Sequence, residues 1–217
     1  MYTKTAFILL LLGVSSACAE PSPLDNEEHV VSATVTFLEE DHRSPRRAIP
    51  LSDFRIAFPL IGGSLFGKPT TPLLFAPEVD ARYSFSIDLR NANPQVLSAL
   101  KEDTQVADDL IISPRETKFA RVATFTLDPA MSHRVGFTGW LDGETRELLI
   151  LAYFDRPCRL KGNLSEADQQ YRYDVVIPKG GYTWLRFRRI NEHTTDVVLT
   201  SKPTTLLLFV TPLRVST

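Results

Sequence analysis

The chain has 217 residues, and its 24 lysines and arginines nearly balance its 26 aspartates and glutamates, which gives a formal net charge of −2. That balance excludes a strongly basic surface of the kind that binds nucleic acid, so no nucleic-acid partner is expected. The length suits one large domain or two small ones, each with its own hydrophobic core.

The first residues have the composition of an export signal. One cation, Lys4, precedes an unbroken apolar run over residues 6–14, and small residues follow at 15–19. A charged start, a short apolar stretch and a small-residue cleavage zone are typical of a secretory signal, so residues 1–19 are predicted to be a signal peptide. The apolar run is shorter than the about 20 residues that cross a bilayer as a helix.

Two processing routes remain open at this signal. Ser16-Ala17-Cys18 resembles the end of a bacterial lipoprotein box, although Ser15 stands where that box usually has a leucine. The resemblance implies a lipid on Cys18 and, because no aspartate follows, an outer-membrane location. Cleavage after Ala19 would instead give a soluble periplasmic or secreted protein. We therefore expect contact with a membrane only through a lipid anchor on Cys18.

Cys158 is the other of the two cysteines in the chain. Both processing routes take Cys18 out of disulfide formation, so the fold is not expected to depend on a disulfide. We expect Cys158 to be a small buried thiol. The alternative, a nucleophilic thiolate, would need a partner that lowers its pKa, which Arg156 or Arg159 could supply.

The N-terminal half is predicted to be β-structure after a flexible tether. Residues 20–28 are polar with two prolines and are typical of a tether. In the region 29–92, apolar and polar residues alternate over 31–37, 54–60 and 81–89, which is the pattern of half-buried strands. In the last of these, we expect Phe85 and Ile87 to point inward and Ser84 and Ser86 to point outward.

A helical connector is predicted over residues 93–112. Asn93 is a good N-cap and Pro94 suits the first helical position, while Val96, Leu97 and Leu100 share one face. We expect the helix itself to span about residues 94–101 and to join the two β regions.

The C-terminal region, residues 113–217, is predicted to be β-structure again, with strands at 119–127, 134–141, 147–155, 171–177, 182–190, 195–199 and 205–210. Asp142-Gly143 favours a hairpin between the second and third of these. The stretches 148–154 and 206–210 are apolar on both faces, which indicates central strands. The whole pattern predicts a mostly β chain: an antiparallel β-sandwich, either one large or two small ones, with one short connecting helix.

The candidate binding residues form an aromatic and cationic ladder. Alternation places Tyr182, Trp184, Arg186 and Arg188 on one face of a strand, and Trp140 is predicted to point outward near the hairpin tip. On an exposed sheet face such a ladder can stack on a sugar ring or hold an anion. The alternative is that Trp184 packs inside and the arginines pair with acidic residues of neighbouring strands.

No motif in the sequence indicates catalysis, a metal or a cofactor. The segment 192–196 holds Glu192, His193 and Asp196, but their spacing matches no known ligand pattern and favours a polar loop. A nucleophile elbow of the Gly-x-Ser-x-Gly type is not present. We therefore predict no catalytic residue, no metal ligand and no cofactor.

These patterns favour an exported bacterial cell-envelope protein, processed as a lipoprotein, that acts without catalysis in protein–protein contact or as an accessory component. One alternative is a carbohydrate-binding module that uses the aromatic and cationic ladder. A second alternative is a hydrolase of envelope polymers, since sandwich folds host all three functions. The expected partner is an envelope protein or a glycan.

Overall fold

The computed structural model describes residues 29–39, 45–62, 73–98, 100, 110–130, 134–166 and 168–212. These ranges hold strands, a short α-helix, α1 (Pro94–Ser98), and 3-10 turns at Leu51–Asp53 and Leu89–Asn91. The strands are β1 (Val30–Phe37), β2 (Arg55–Ala57), β3 (Leu60–Gly62), β4 (Ser84–Asp88), β5 (Leu110–Ser113), β6 (Phe119–Val122), β7 (Phe125–Leu127), β8 (Arg134–Asp142), β9 (Leu148–Phe154), β10 (Cys158–Glu166), β11 (Gln169–Ile177), β12 (Gly181–Arg189), β13 (Thr194–Thr200) and β14 (Leu206–Pro212).

All of these strands belong to one hydrogen-bonded sheet. Its main path runs β4-β1-β14-β8-β9-β12-β13-β11-β10-β5, and β6 and β7 pair with β9 and β8 and carry β3 and β2 on their other sides. The prediction of a mostly β chain is confirmed. The prediction of a purely antiparallel sheet is wrong, because β1 pairs with β14 and β11 pairs with β13 in parallel.

The core lies on both faces of the central strands β9 and β12. What we call the first core cluster includes Val31, Val35, Phe58, Phe85, Trp140, Leu149, Leu151, Trp184 and Leu208. What we call the second core cluster includes Phe119, Ile150, Phe154, Leu160, Val175, Leu185 and Phe187. Successive residues of β9 therefore alternate between two interiors, which explains its unbroken apolar sequence.

The N-terminal strands follow the predicted alternation with shorter bounds. β1 buries Val31, Ala33, Val35 and Phe37 as predicted. The predicted strand at 81–89 begins only at Ser84, because the Asp80 carboxylate accepts hydrogen bonds from the N–H groups of Arg82 and Ser84, which hold the chain in a turn. Tyr83, in that turn, has a φ of 60°.

The helix is confirmed, although it is shorter than predicted. The Asn93 side chain accepts a hydrogen bond from the Gln95 N–H at 3.0 Å, which caps the first turn. Val96 and Leu100 are buried in the first core cluster. Strand β5 already begins at Leu110. The division of the chain into an N-terminal region, a connector and a C-terminal region stays a prediction.

The C-terminal strands are confirmed with two differences. The hairpin of β8 and β9 forms, with Trp140 opposite Leu149. The predicted strand at 119–127 is two strands, β6 and β7, which pair with different neighbours on either side of Ala123 and Thr124. Strand β10 was not predicted.

The predicted signal peptide, the tether and the lipidation residue Cys18 lie outside the residues that the structure describes. Within the described ranges, no helix is both long enough and apolar enough to cross a membrane.

Candidate functional site

Trp140 and Trp184 lie inside the protein, not on its surface. The two residues pair with Leu149 and Leu151 of β9 from opposite sides, so both indoles lie on the same face of the sheet. Only 2% of Trp140 and 5% of Trp184 is exposed. Their ring centroids are 5.5 Å apart in an edge-to-face arrangement. Neither indole presents a surface on which a sugar ring could stack, contrary to the exposed position predicted for Trp140.

The Tyr182 side chain also packs against this interior. Its ring lies 5.2 Å from that of Tyr153, and both pack against the first core cluster. Burial, assisted by the neighbouring Tyr153, raises the pKa of the Tyr182 hydroxyl, so it stays protonated. The hydroxyl has no hydrogen-bond partner among the described residues.

Arg186 has a structural role at the β8–β9 turn. Its guanidinium donates to Asp142 at 2.6 Å and to Glu147 at 3.2 Å, and Asp142 is buried. Asp142 also accepts hydrogen bonds from the N–H groups of Glu144 and Thr145. Burial opposes ionisation of Asp142, but these hydrogen bonds and the charge of Arg186 outweigh it and lower the pKa of the carboxyl.

Arg188 is the one residue of the predicted ladder that is well exposed. Its guanidinium lies 3.6 Å from the Asp196 carboxylate of β13. The alternation that places it on the same face as Trp184 and Arg186 is observed. That face is covered by the first core cluster at Trp184 and is open to solvent at Arg188.

Arg188 belongs to a surface that the sequence did not indicate. Residues that point away from the second core cluster on neighbouring strands form this surface, which we call the outer face: Ile111, Arg159, Lys161, Arg172, Asp174, Val176, Arg188 and Asp196. Ile111 is 61% exposed and Val176 is 57% exposed.

Cross-strand ion pairs order the outer face. Arg159 donates to Asp174 at 2.6 Å, and Arg172 lies 2.6 Å from Asp196. Lys161, opposite Asp174, is exposed and has no ionic partner among the described residues. A shallow groove of about 490 Å³ crosses this face between Lys161 and Asp196.

The outer face escaped prediction because β10 is weakly apolar. Its inward positions Cys158, Leu160 and Leu164 are interrupted by Gly162, which breaks the alternation. Those inward residues alternate with the polar residues Arg159, Lys161 and Asn163, and this period-two alternation was the sequence signal that could have revealed the strand.

The prediction of a polar loop over residues 192–196 holds only for Glu192 and His193, because residues 194–196 belong to β13. The Asn191 side chain accepts a hydrogen bond from the His193 N–H at 2.9 Å, and Asp196 is held by Arg172. Among the described residues, no group of three or more potential ligands is placed to hold a metal ion.

Cys158, the first residue of β10, is buried in the second core cluster. Burial, with a smaller contribution from the charge of Asp155, raises the pKa of its thiol to about 11. The thiol is therefore protonated at neutral pH, which disfavours the nucleophilic alternative.

No protein-family model, no curated protein and no solved structure matches this chain.

Proposed function

We propose that this chain is an exported bacterial cell-envelope protein, processed as a lipoprotein at Cys18, that binds another envelope protein and has no catalytic activity. The observation that supports the binding role is the outer face. It carries a row of arginines, a residue type that is enriched at protein interfaces, beside the exposed apolar side chains of Ile111 and Val176.

The arginines of the outer face are available to a partner. Exposed ion pairs such as Arg159–Asp174 contribute only about 0–1 kcal/mol to folding, because water screens them and ordering the side chains costs entropy. The fold therefore does not depend on them, and a partner can take over their hydrogen bonds.

Export and anchoring are supported by the sequence of residues 1–19 and not by the fold. The sandwich arrangement is likewise a proposal, supported by the two core clusters that lie on opposite faces of β9 and β12. The carbohydrate-binding alternative is weaker, because the two indoles on which it rests are buried.

Site-specific photo-cross-linking in living cells tests the binding role. A photoreactive amino acid at Val176 lies on the outer face, whereas one at Thr34, which is exposed on β1, serves as the control. We expect a discrete protein adduct from position 176 that is missing at 34. No adduct at 176, or the same adducts at both positions, would refute the proposal.

Mass spectrometry of the mature N-terminus tests the anchoring. A diacylglyceryl group on Cys18 is the expected result. A mature chain that begins at Glu20 would show that the protein is not a lipoprotein.

A further inference from the structure

We infer that the partner presents a carboxylate-rich protein segment to the outer face, an inference that rests on the proposed function. The outer face holds four cations, Arg159, Lys161, Arg172 and Arg188, against the two carboxylates of Asp174 and Asp196. The whole chain, in contrast, has a net charge of −2. The positive surplus is therefore local to this face.

The ion-pair geometry leaves part of this charge unmatched. Arg172 and Arg188 share the single carboxylate of Asp196, at 2.6 Å and 3.6 Å respectively, so Arg188 is the more weakly held. Lys161 has no ionic partner among the described residues. Lys161 and Arg172 line the groove of about 490 Å³, and Arg188 lies beside it across β13.

The groove therefore offers cationic N–H donors at the surface. An arginine that is only partly neutralised can donate two further hydrogen bonds to a carboxylate in a planar, bidentate manner. In an extended segment, acidic side chains at intervals can each lie near one of the cations on the neighbouring strands.

Two features favour a protein segment over a lipid surface or a phosphate polymer. Ile111 and Val176 expose aliphatic side chains within the same face, and a polyphosphate has nothing apolar to cover them. Asp174 and Asp196 would repel a dense polyanion, whereas a peptide can place apolar or basic residues beside them.

Binding of a defined peptide tests the inference. The probe is a fluorescent peptide in which glutamate alternates with valine, and the matched control peptide has lysine in place of glutamate. We expect the purified protein to bind the glutamate peptide in a salt-sensitive manner and to ignore the lysine peptide. Lys161→Glu and Arg172→Glu are each expected to weaken binding about tenfold, because attraction becomes repulsion.

The control variant is Arg82→Glu, the same charge change at an exposed turn beside β4, which should leave binding unchanged. Thermal unfolding of each variant verifies that it is folded. The inference is overturned by no binding of the glutamate peptide, by equal effects of Arg82→Glu and Lys161→Glu, or by tighter binding to polyphosphate or phosphatidylglycerol vesicles.

The cross-linking experiment separates this inference from the proposed function. If an adduct forms at position 176 and Lys161→Glu does not reduce it, the proposal of a protein partner is kept and the inference that the partner is acidic is rejected. If no adduct forms at position 176, the proposed function itself fails.

Discussion

Asp142, Arg186 and Glu147 form a charged group that joins the β8–β9 turn to β12. The Arg186 guanidinium donates hydrogen bonds to both carboxylates, and two backbone N–H groups also donate to Asp142. Such partly buried charges are costly when one partner is removed, because the remaining charge has already lost its water. This group therefore contributes to the fold more than the exposed pairs of the outer face do.

Substitution of Asp142 tests this contribution. Asp142→Asn keeps an acceptor for the backbone N–H groups but removes the charge that faces Arg186. We expect the free energy of unfolding to fall by about 1.5–3 kcal/mol at neutral pH, the usual contribution of a hydrogen bond to a charged group. Urea unfolding measures this, and Asp174→Asn, at an exposed pair, should cost less than about 1 kcal/mol.

The pH dependence follows from the lowered pKa of Asp142. Its contribution to stability is fully present above the pKa of the unfolded carboxyl, about 3.9, and is lost as the pH falls through the lower folded value. The difference between the wild type and Asp142→Asn should therefore shrink below about pH 4. A constant difference down to strongly acidic pH would contradict the account.

The thiol of Cys158 provides a second test at this scale. Because it is buried and its pKa is raised to about 11, alkylation by iodoacetamide at mildly alkaline pH should be slow in the folded protein. The same peptide should be modified rapidly in concentrated urea, and mass spectrometry compares the two rates. Equal rates would mean that Cys158 is accessible in the native state.

Local alternation was enough to place Trp184, Arg186 and Arg188 on one face, and this is observed. Whether that face is buried depends on Phe58 and Trp140, which are distant in sequence and stack at 5.7 Å. A period-two pattern carries no information about such neighbours, so exposure of the ladder could not be decided from the sequence.

At the scale of elements, a glycine of β8 makes room for an aromatic ring of β14. Gly139 lies opposite Phe209, and a Cβ at Gly139 would lie 2.5 Å from the Phe209 ring. The glycine thus makes room for an aromatic ring that covers the strand pair. The close contact suggests that these two positions are energetically coupled.

Gly139→Ala should destabilise the protein by about 1–3 kcal/mol through overpacking. In a Phe209→Leu background the added methyl group meets a smaller side chain, so the same substitution should cost clearly less. A double-mutant cycle by urea unfolding measures the difference. Equal costs in both backgrounds would show that the ring is not the cause.

Strands with a clean pattern were the predictable ones. β1, β9 and β14 carry either strict alternation or an unbroken apolar run, and their positions are confirmed. β10 was missed because Gly162 interrupts its pattern, and β5 because it is short and lies within the predicted connector. β6 and β7 are separate strands because β6 pairs with β9 and β7 pairs with β8. This pairing depends on strands that are distant in sequence, so local patterns do not show it.

At the scale of the whole molecule, the sheet joins the two ends of the described chain. β1 pairs in parallel with β14, so the strand nearest the proposed tether is hydrogen bonded to the last strand. Parallel pairing between sequence-distant strands has no local signature, which is why an antiparallel sheet was predicted instead. The outer face extends from Arg188 on β12 across β13, β11 and β10 to β5, at one end of the main path of the same sheet.

We propose that another envelope protein covers the outer face. Hydroxyl-radical footprinting of intact cells, compared with the purified protein, measures the exposure of side chains directly. We expect Ile111 and Val176 to be protected in cells, and Tyr83, a partly exposed side chain in the turn before β4, to be modified equally in both samples. Equal modification of Ile111 and Val176 in cells and in solution would contradict the proposal.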